Sequence, residues 1–178
     1  MAISTNLQGK VALVTGASTG IGRGVALALA DCACHVFINY PEPAERENAA
    51  AVLQPLKDRG GSGALLEGSV SDESAVKSMF DELLEHNGRL DILVNNAGIA
   101  HVGTVTTTTE EDFDRVMQVN TKGIFLCLQK VIPIFVKNGG GVILNLASIA
   151  SRLGISDRFA YSASKGAVLS MTLSVAKD

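Results

Sequence analysis

Val11-Ala-Leu-Val-Thr15, followed at once by Gly16-Ala-Ser-Thr-Gly20-Ile-Gly22, is the stretch on which the fold turns. Its first five residues read as a buried strand, the glycines as a turn, and a helix is expected over about 21–31. Glycines between a strand and a helix let the backbone turn tightly and come close to a pyrophosphate, whose charge the helix N-terminus meets. The spacing is G-x-x-x-G-x-G rather than G-x-G-x-x-G. A glycine turn that serves only packing is the competing reading.

Working outward, the same alternation recurs along the chain. Further strands are expected at 35–39, 64–67, 91–95 and 142–147. Helices are expected at about 44–59, 73–86, 113–137 and from 161 onward. Asp72 or Ser71 caps the third helix, and Thr109-Glu-Glu-Asp112 has the form of a capping box for the fourth. Pro55 and Pro133 are expected to mark irregularities inside their helices. Short apolar runs alternating with longer amphipathic segments make βαβ units, hence an α/β fold on a parallel sheet. No internal boundary, repeat or low-complexity tract divides the chain, so residues 1–178 are read as one domain.

A second constellation lies near the other end. Tyr161-Ser-Ala-Ser-Lys165 places a phenol and an ammonium at i and i+4, on one face of a helix. A cation beside a phenol favours the phenolate, which suits Tyr161 to general acid/base work on an alcohol or carbonyl. Ser148 follows the apolar run Val142-Ile-Leu-Asn-Leu-Ala147, and a hydroxyl at a strand's C-terminal end can share the oxygen that the tyrosine meets. Alone, a Tyr-x-x-x-Lys pair is also what an amphipathic surface helix shows.

Composition narrows the classes. The net charge is −3 and no basic patch stands out, which argues against nucleic acid as a partner. The first ten residues carry no apolar core behind a charged start, and no stretch of about eighteen apolar residues is available to span a membrane. Cys32, Cys34 and Cys127 are an odd count without metal-ligand spacing, so reduced thiols in a cytoplasmic protein are expected and no metal site is.

Thr15-Gly-Ala-Ser-Thr-Gly-Ile-Gly22, Asn95-Asn-Ala-Gly98, Asn120, Ser148 and Tyr161-x-x-x-Lys165 occur in the order seen in the short-chain dehydrogenases/reductases. The chain resembles that family from about residue 9 to its end. The resemblance implies a doubly wound, Rossmann-like parallel sheet that binds NAD or NADP. It also implies hydride transfer to or from a carbonyl carbon of a small-molecule alcohol or ketone. Tyr161 would be the acid/base, Lys165 its helper and the holder of the nicotinamide ribose, Ser148 the group that polarises the substrate oxygen, and Asn120 the holder of a water in the proton relay. The implied cofactor contacts are Gly16, Ser18, Thr19, Gly20, Ile21 and Gly22 in the loop, Asn39 and Tyr40 after the second strand, Ser69 and Val70 after the third, and Asn96, Ala97 and Gly98 after the fourth. Asn95 would be structural.

Several residues depart from the pattern. Asn39-Tyr40 lacks the carboxylate of an NAD-preferring member, while Thr19 stands where many NADP-dependent members have a basic residue. The reading leans to NADP, with Arg23 and Arg46 as substitutes for that base, though each also reads as a solvated surface residue. Ser69 replaces an Asp that meets the adenine. Ala33 replaces a glycine after the first helix, at about 1 kcal/mol if that position is left-handed. The family continues with two more strands, so the fifth strand is expected to be an apolar edge and the sequence a piece of a longer protein. The alternative is a truncated, non-catalytic dinucleotide-binding or interaction protein. Arg152, Arg158 and His101 border the expected substrate pocket, where sugars, sugar acids and 3-oxoacyl thioesters remain open. A homo-oligomer, dimer or tetramer, is expected through Phe125, Leu126, Leu128 and Val131 of the long helix and Val168, Leu169 and Leu173 of the last. A serine hydrolase built on Ser148 is set aside because no Gly-x-Ser-x-Gly elbow or placed histidine accompanies it.

Overall fold

Five short strands form one parallel sheet in the order β3-β2-β1-β4-β5 in the computed structural model, which describes residues 5–58 and 60–177. The strands are β1 (Val11–Val14), β2 (His35–Tyr40), β3 (Ser62–Glu67), β4 (Ile92–Asn95) and β5 (Val142–Asn145). The helices are α1 (Gly20–Asp31), α2 (Arg46–Asp58), α3 (Glu73–Asn87), α4 (Glu110–Met117), α5 (Gly123–Asn138) and α6 (Phe159–Val175). After β3 the chain crosses back past β1 to lay down β4, so the direction of winding reverses there. That reversal is where α/β sheets open a crevice at the carboxyl ends of their strands.

Alternation along β1 explains the two layers. Ala12 and Val14 face α1 and α2, where they pack with Ala26, Val52 and Leu56. Val11 and Leu13 face α3 and α5, among Phe80, Leu83, Leu126 and Val131. Both faces of β1 are buried, as inside a parallel sheet, whereas β5 is the expected apolar edge, with Val142 and Leu144 60% and 49% exposed. α6 lies beside α5 through Val168 against Ile124 and Leu128.

Asp72 caps as expected, accepting from the Ala75 amide, and Thr109 accepts from the Asp112 amide, but Asp112 receives the Thr109 hydroxyl rather than its backbone N–H, so only half of the expected capping box forms. Boundaries differ from expectation by up to three residues. β2 runs on to Tyr40, β5 stops at Asn145, and α4 and α6 begin earlier, at Glu110 and Phe159. β3 starts at Ser62 because Gly63 lets it approach β2, where a side chain would lie 2.5 Å from the Val36 carbonyl oxygen. The helix expected over 44–59 reaches Asp58, while Arg59, residues 1–4 and Asp178 lie outside the described residues. α2 and α5 run through Pro55 and Pro133 without stopping.

The 110–138 segment contains what the sequence did not announce. Between α4 and α5, Gln118–Lys122 forms a π turn, with Asn120 at its centre. Taken as one helix, Glu110–Asn138 is long and apolar enough by composition to cross a bilayer, contrary to expectation. Leu126, Cys127, Val131 and Phe135 pack it onto the sheet, which accounts for that apolarity.

Ala33 has φ 65°, so the left-handed condition under which it would be strained is met. Of the residues expected to form a subunit face, Leu126, Leu128, Val131 and Val168 are buried inside the chain, whereas Phe125 and Leu173 are exposed. Cys127 is buried, and that burial pushes its thiol up to about 12. Cys34 is also buried, and burial, with Asp91 and Cys32 nearby, lifts it to about 11. Cys32 is half-buried, and none of the three is paired.

Candidate active site

The carboxyl ends of β1 and β4 hold the glycine loop and the Asn95–Gly98 segment against each other. Thr15 ties them: its hydroxyl accepts from the amides of Asn96 and Ala97, each at 3.0 Å. Asn96 returns the contact, its side-chain amide donating to the carbonyls of Thr15 and Gly16 at 2.9 Å. From the other side the Gly16 N–H donates to Asn39 Oδ1 at 3.1 Å. Gly16 and Gly20 adopt φ 60° and 55°, as the turn requires.

This loop fits a pyrophosphate. Thr19 at the N-cap of α1 makes no side-chain capping bond, so the first-turn N–H groups remain for a ligand. A Cβ built on Gly20 meets nothing within 4 Å, which leaves the backbone open to close approach.

A cleft of about 610 Å³ runs from this loop to α6. Its walls include every residue expected to touch the cofactor except Gly22 and Tyr40. Gly22 lies beneath, packed under Asn96. Tyr40 is turned away and buried, its hydroxyl donating to Glu67 and accepting from Arg46. Asn39 reaches the wall, but its amide is held by the carbonyls of Leu66 and Gly68, so its visible part is structural. Ser69 bonds Ser71 at 2.8 Å, and Val70 packs over Gly123. Arg46 is engaged by Tyr40, and neither it nor Arg23 lines the cleft.

The sequence does not point to Glu42 and Glu45 at the glycine-loop end of the cleft, nor to Ile99, Val119 and Leu146 at the other. Glu45 is held by Ser18 at 3.2 Å and Asn48 at 3.0 Å. No sequence signal marks it, because it becomes a neighbour of Ser18 only when the short helical turn Pro43–Glu45 folds over the glycine loop.

Tyr161 and Lys165 share one face of α6 and open into the same cleft. The Lys165 nitrogen is 5.9 Å from the Tyr161 ring centroid and donates to the Leu146 carbonyl at 2.6 Å. Burial holds its pKa below the ordinary lysine value. Two further N–H donors remain on the ammonium.

Ser148 stands at the rim rather than in the cleft wall. Its oxygen accepts from the Ala150 amide at 3.1 Å, which leaves its own proton to give. Ser151 completes a capping box there, accepting from the Ser148 amide at 3.2 Å and donating to the Lys165 carbonyl at 2.9 Å. Asn120 is fully buried behind Gly98. Its Oδ1 accepts from the Ile99 amide, and its Nδ2 donates to the Ile99 carbonyl and to Ser164. Both N–H groups are therefore engaged in tying the 99 loop to α6, which leaves one lone pair of Oδ1 for the expected water. Asn95 is buried and bonds Asn145, in keeping with the structural part foreseen.

A sheet reversing at a glycine loop, with a Tyr-Lys pair across the cleft, defines a nicotinamide-dinucleotide oxidoreductase of the doubly wound class. Comparison with known proteins makes this specific. Residues 10–178 match the family described as short chain dehydrogenase, and the chain belongs to that family of NAD(P)-dependent dehydrogenases and reductases. It is 38% identical over 169 residues to the 3-oxoacyl-[acyl-carrier-protein] reductase FabG of Staphylococcus aureus, covering 95% of this chain and 68% of the relative. It is 40% identical to versicolorin reductase stcU of Emericella nidulans, over 91% of this chain and 60% of that one. A metagenomic short-chain oxidoreductase solved in complex with NADP superposes with a TM-score of 0.91 at 31% identity, covering 96% of this chain and 76% of that one. The chain thus spans about two thirds of the length of the FabG relative and less of the versicolorin reductase.

Proposed function

We propose that this protein transfers a hydride between NADP(H) or NAD(H) and a secondary alcohol or ketone, with Tyr161 as general acid/base. The observation that carries the proposal is the placement of Tyr161 and Lys165 on one face of α6, in the wall of the cleft that begins at the glycine loop. When bound, the dinucleotide supplies or accepts the hydride. In reduction, negative charge grows on the carbonyl oxygen. The Ser148 hydroxyl donates a hydrogen bond to it and Tyr161 delivers the proton, so both act most strongly where the charge develops. Lys165 would hold the cofactor ribose through the ammonium N–H groups that its bond to the Leu146 carbonyl leaves over. Asn120 fixes the 99 loop and, through Ser164, the turn of α6 that carries Tyr161.

Tyr161→Phe tests the assignment: ketone reduction falls at least about a hundredfold, the usual weight of a general acid, while NADPH still binds. Unchanged turnover in that variant refutes the assignment. Cofactor binding without turnover of any ketone in the parent chain favours the non-catalytic reading instead. NADP is the ligand of the metagenomic relative; the ratio of NADPH to NADH affinities tests whether the cleft end that holds Glu42 and Glu45 admits its 2′-phosphate. A cytoplasmic homo-oligomer completes the proposal, joined through exposed Phe125 and Leu173 and checked by light scattering.

A further inference from the structure

The cleft is charged unevenly about β1. In the strand order β3-β2-β1-β4-β5, the segments after β4 and β5 lie on one side of the glycine loop and those after β2 and β3 on the other. Lys165 belongs to the first side, bonded to the Leu146 carbonyl just after β5, and Tyr161 lies one turn before it on α6. A dinucleotide with its pyrophosphate on the loop and its nicotinamide toward Tyr161 therefore has its adenosine ribose on the second side. The wall there includes Pro41, Glu42, Glu45 and Ser69.

That side carries two carboxylates and no cation. Among the described residues, Lys165 is the sole Lys or Arg in the cleft wall, and it stands at the other end. Arg46 is turned to the Tyr40 hydroxyl. Asn39-Tyr40 supplies no carboxylate, but the turn after it supplies two.

Both are held in place. Glu42 stands between Pro41 and Pro43 and is extended at φ −158° and ψ 160°, the backbone a following proline favours. Its carbonyl accepts from the Glu45 N–H at 2.9 Å, which closes the turn Pro43–Glu45. Ser18 of the glycine loop, at 3.2 Å, and Asn48, at 3.0 Å, donate to one and the same oxygen of Glu45, Oε2. Its Oε1 keeps its lone pairs for a ligand. The Ala17 N–H donates to the Asn39 carbonyl at 2.8 Å, so the end of β2 is anchored to the glycine loop as well.

The two nicotinamide cofactors differ only at this ribose, and they make opposite demands on it. A free hydroxyl donates to a carboxylate oxygen, whereas a phosphate is met by Arg or Lys. Against two carboxylates a phosphate is repelled, and like charges set face to face are a means of rejecting the wrong ligand.

Resting on the hydride-transfer reading above, we infer that Glu42 and the Ser18-held Glu45 set the choice of cofactor, and that they set it for NAD(H) over NADP(H).

Fluorescence titration of the chain with NADH and with NADPH, at low and at high salt, tests this. NADH is expected to bind at least about tenfold more tightly, the effect of one partly screened repulsion. The ratio narrows as salt is added, because charges at an open cleft are screened. The double variant Glu42→Gln, Glu45→Gln keeps a side-chain oxygen for Ser18 and is expected to lose most of the ratio by gaining NADPH affinity. Glu42 is exposed, so Glu42→Lys tests the same point without disturbing the core, and it is expected to raise NADPH affinity further. Tighter binding of NADPH by the parent chain, a ratio indifferent to salt, or a ratio unmoved by both variants overturns the inference. NADH preference without turnover of any ketone overturns the assignment of Tyr161 and leaves this inference standing; turnover with NADPH preferred does the reverse. Failure to bind either cofactor overturns both.

Discussion

Three glycines of the cofactor loop are expected to fail in three different ways when replaced by alanine. At Gly20 the added methyl meets nothing within 4 Å, but φ is 55°, so only the backbone strain is incurred, about 1 kcal/mol. At Gly22 the backbone is permissive, yet the methyl would meet the Asn96 side-chain amide and lie 2.5 Å from the Gly16 carbonyl oxygen. It would wedge into the hydrogen bond those two groups share. Overpacking of that kind costs about 1–3 kcal/mol. Gly16 combines both faults, with φ 60° and a methyl 2.9 Å from the Ala97 Cα; the sum is about 2–4 kcal/mol. For a domain of this size 1 kcal/mol moves Tm by about 2–4 °C, so thermal unfolding followed by circular dichroism resolves the order Gly20, then Gly22, then Gly16. Fluorescence titration with NADPH separates the roles further. Gly20→Ala loses most affinity for the least stability, because its methyl projects into the space offered to the pyrophosphate. An equal Tm loss at all three positions, or full NADPH affinity in Gly20→Ala, refutes the reasoning.

Three other perturbations test separate parts of the molecule. Ser151→Ala removes one hydroxyl that links the backbones of Ser148 and Lys165; kcat is expected to fall about three- to tenfold, the worth of a hydrogen bond, with the KM for cofactor steady and Ser151→Thr restoring the rate. An unaltered kcat sinks the idea that this hydroxyl aligns the two. Ala33→Gly relieves the left-handed strain at φ 65° and is expected to raise stability by about 0.5–1 kcal/mol, measured by urea unfolding; a decrease contradicts it. Asp91 is buried beneath the sheet, where burial raises its carboxyl but Arg89, the Val11 N–H and Lys10 outweigh it and hold it below the ordinary value. The stability it contributes is therefore present above about pH 4 and lost as pH falls through the lower folded value. Asp91→Asn should be less stable at pH 7 by about 1–3 kcal/mol, with the gap closing below pH 4. A gap that is constant across that range would show that the charge contributes nothing.

The order and type of the five strands and most of the helices are legible in the sequence because each rests on local signals. Period and composition mark the strands, and Asp72 and Thr109 mark helix starts by the bonds their own side chains make three residues on. The glycine loop is legible for a related reason: a positive φ or a close approach leaves few residue types able to stand there. What stayed hidden depends on neighbours distant in the chain. Thr15 looks like the last residue of a strand, and nothing local says that its hydroxyl will receive two amides from the turn after β4. Tyr40 looks like a cofactor contact by position. Because β2 runs one residue further than expected, the strand's alternation sends that ring into the core and presents Glu42 and Glu45 at the cleft instead.

The π turn at Gln118–Lys122 joins both halves of the site and shows why Asn120 had to be read through resemblance. An extra residue in one turn rotates the helix beyond it, so α4 can set Phe113 against Phe159 of α6 while α5 packs on both the sheet and α6. Asn120 sits at that irregularity with its amide engaged on both sides, between the loop that follows the cleft-lining Gly98 and the helix that carries Tyr161. An asparagine within a long apolar helix carries no pattern of its own, since amphipathic spacing is blind to a residue whose partners are two other segments. Its burial without an unmet N–H is nonetheless demanding: any apolar replacement takes the partner from the half-buried Ile99 amide and carbonyl, at up to about 1–3 kcal/mol for each group left unmet. The residue that ties the 99 loop to the turn of α6 carrying Tyr161 is thus also the one whose loss would loosen both.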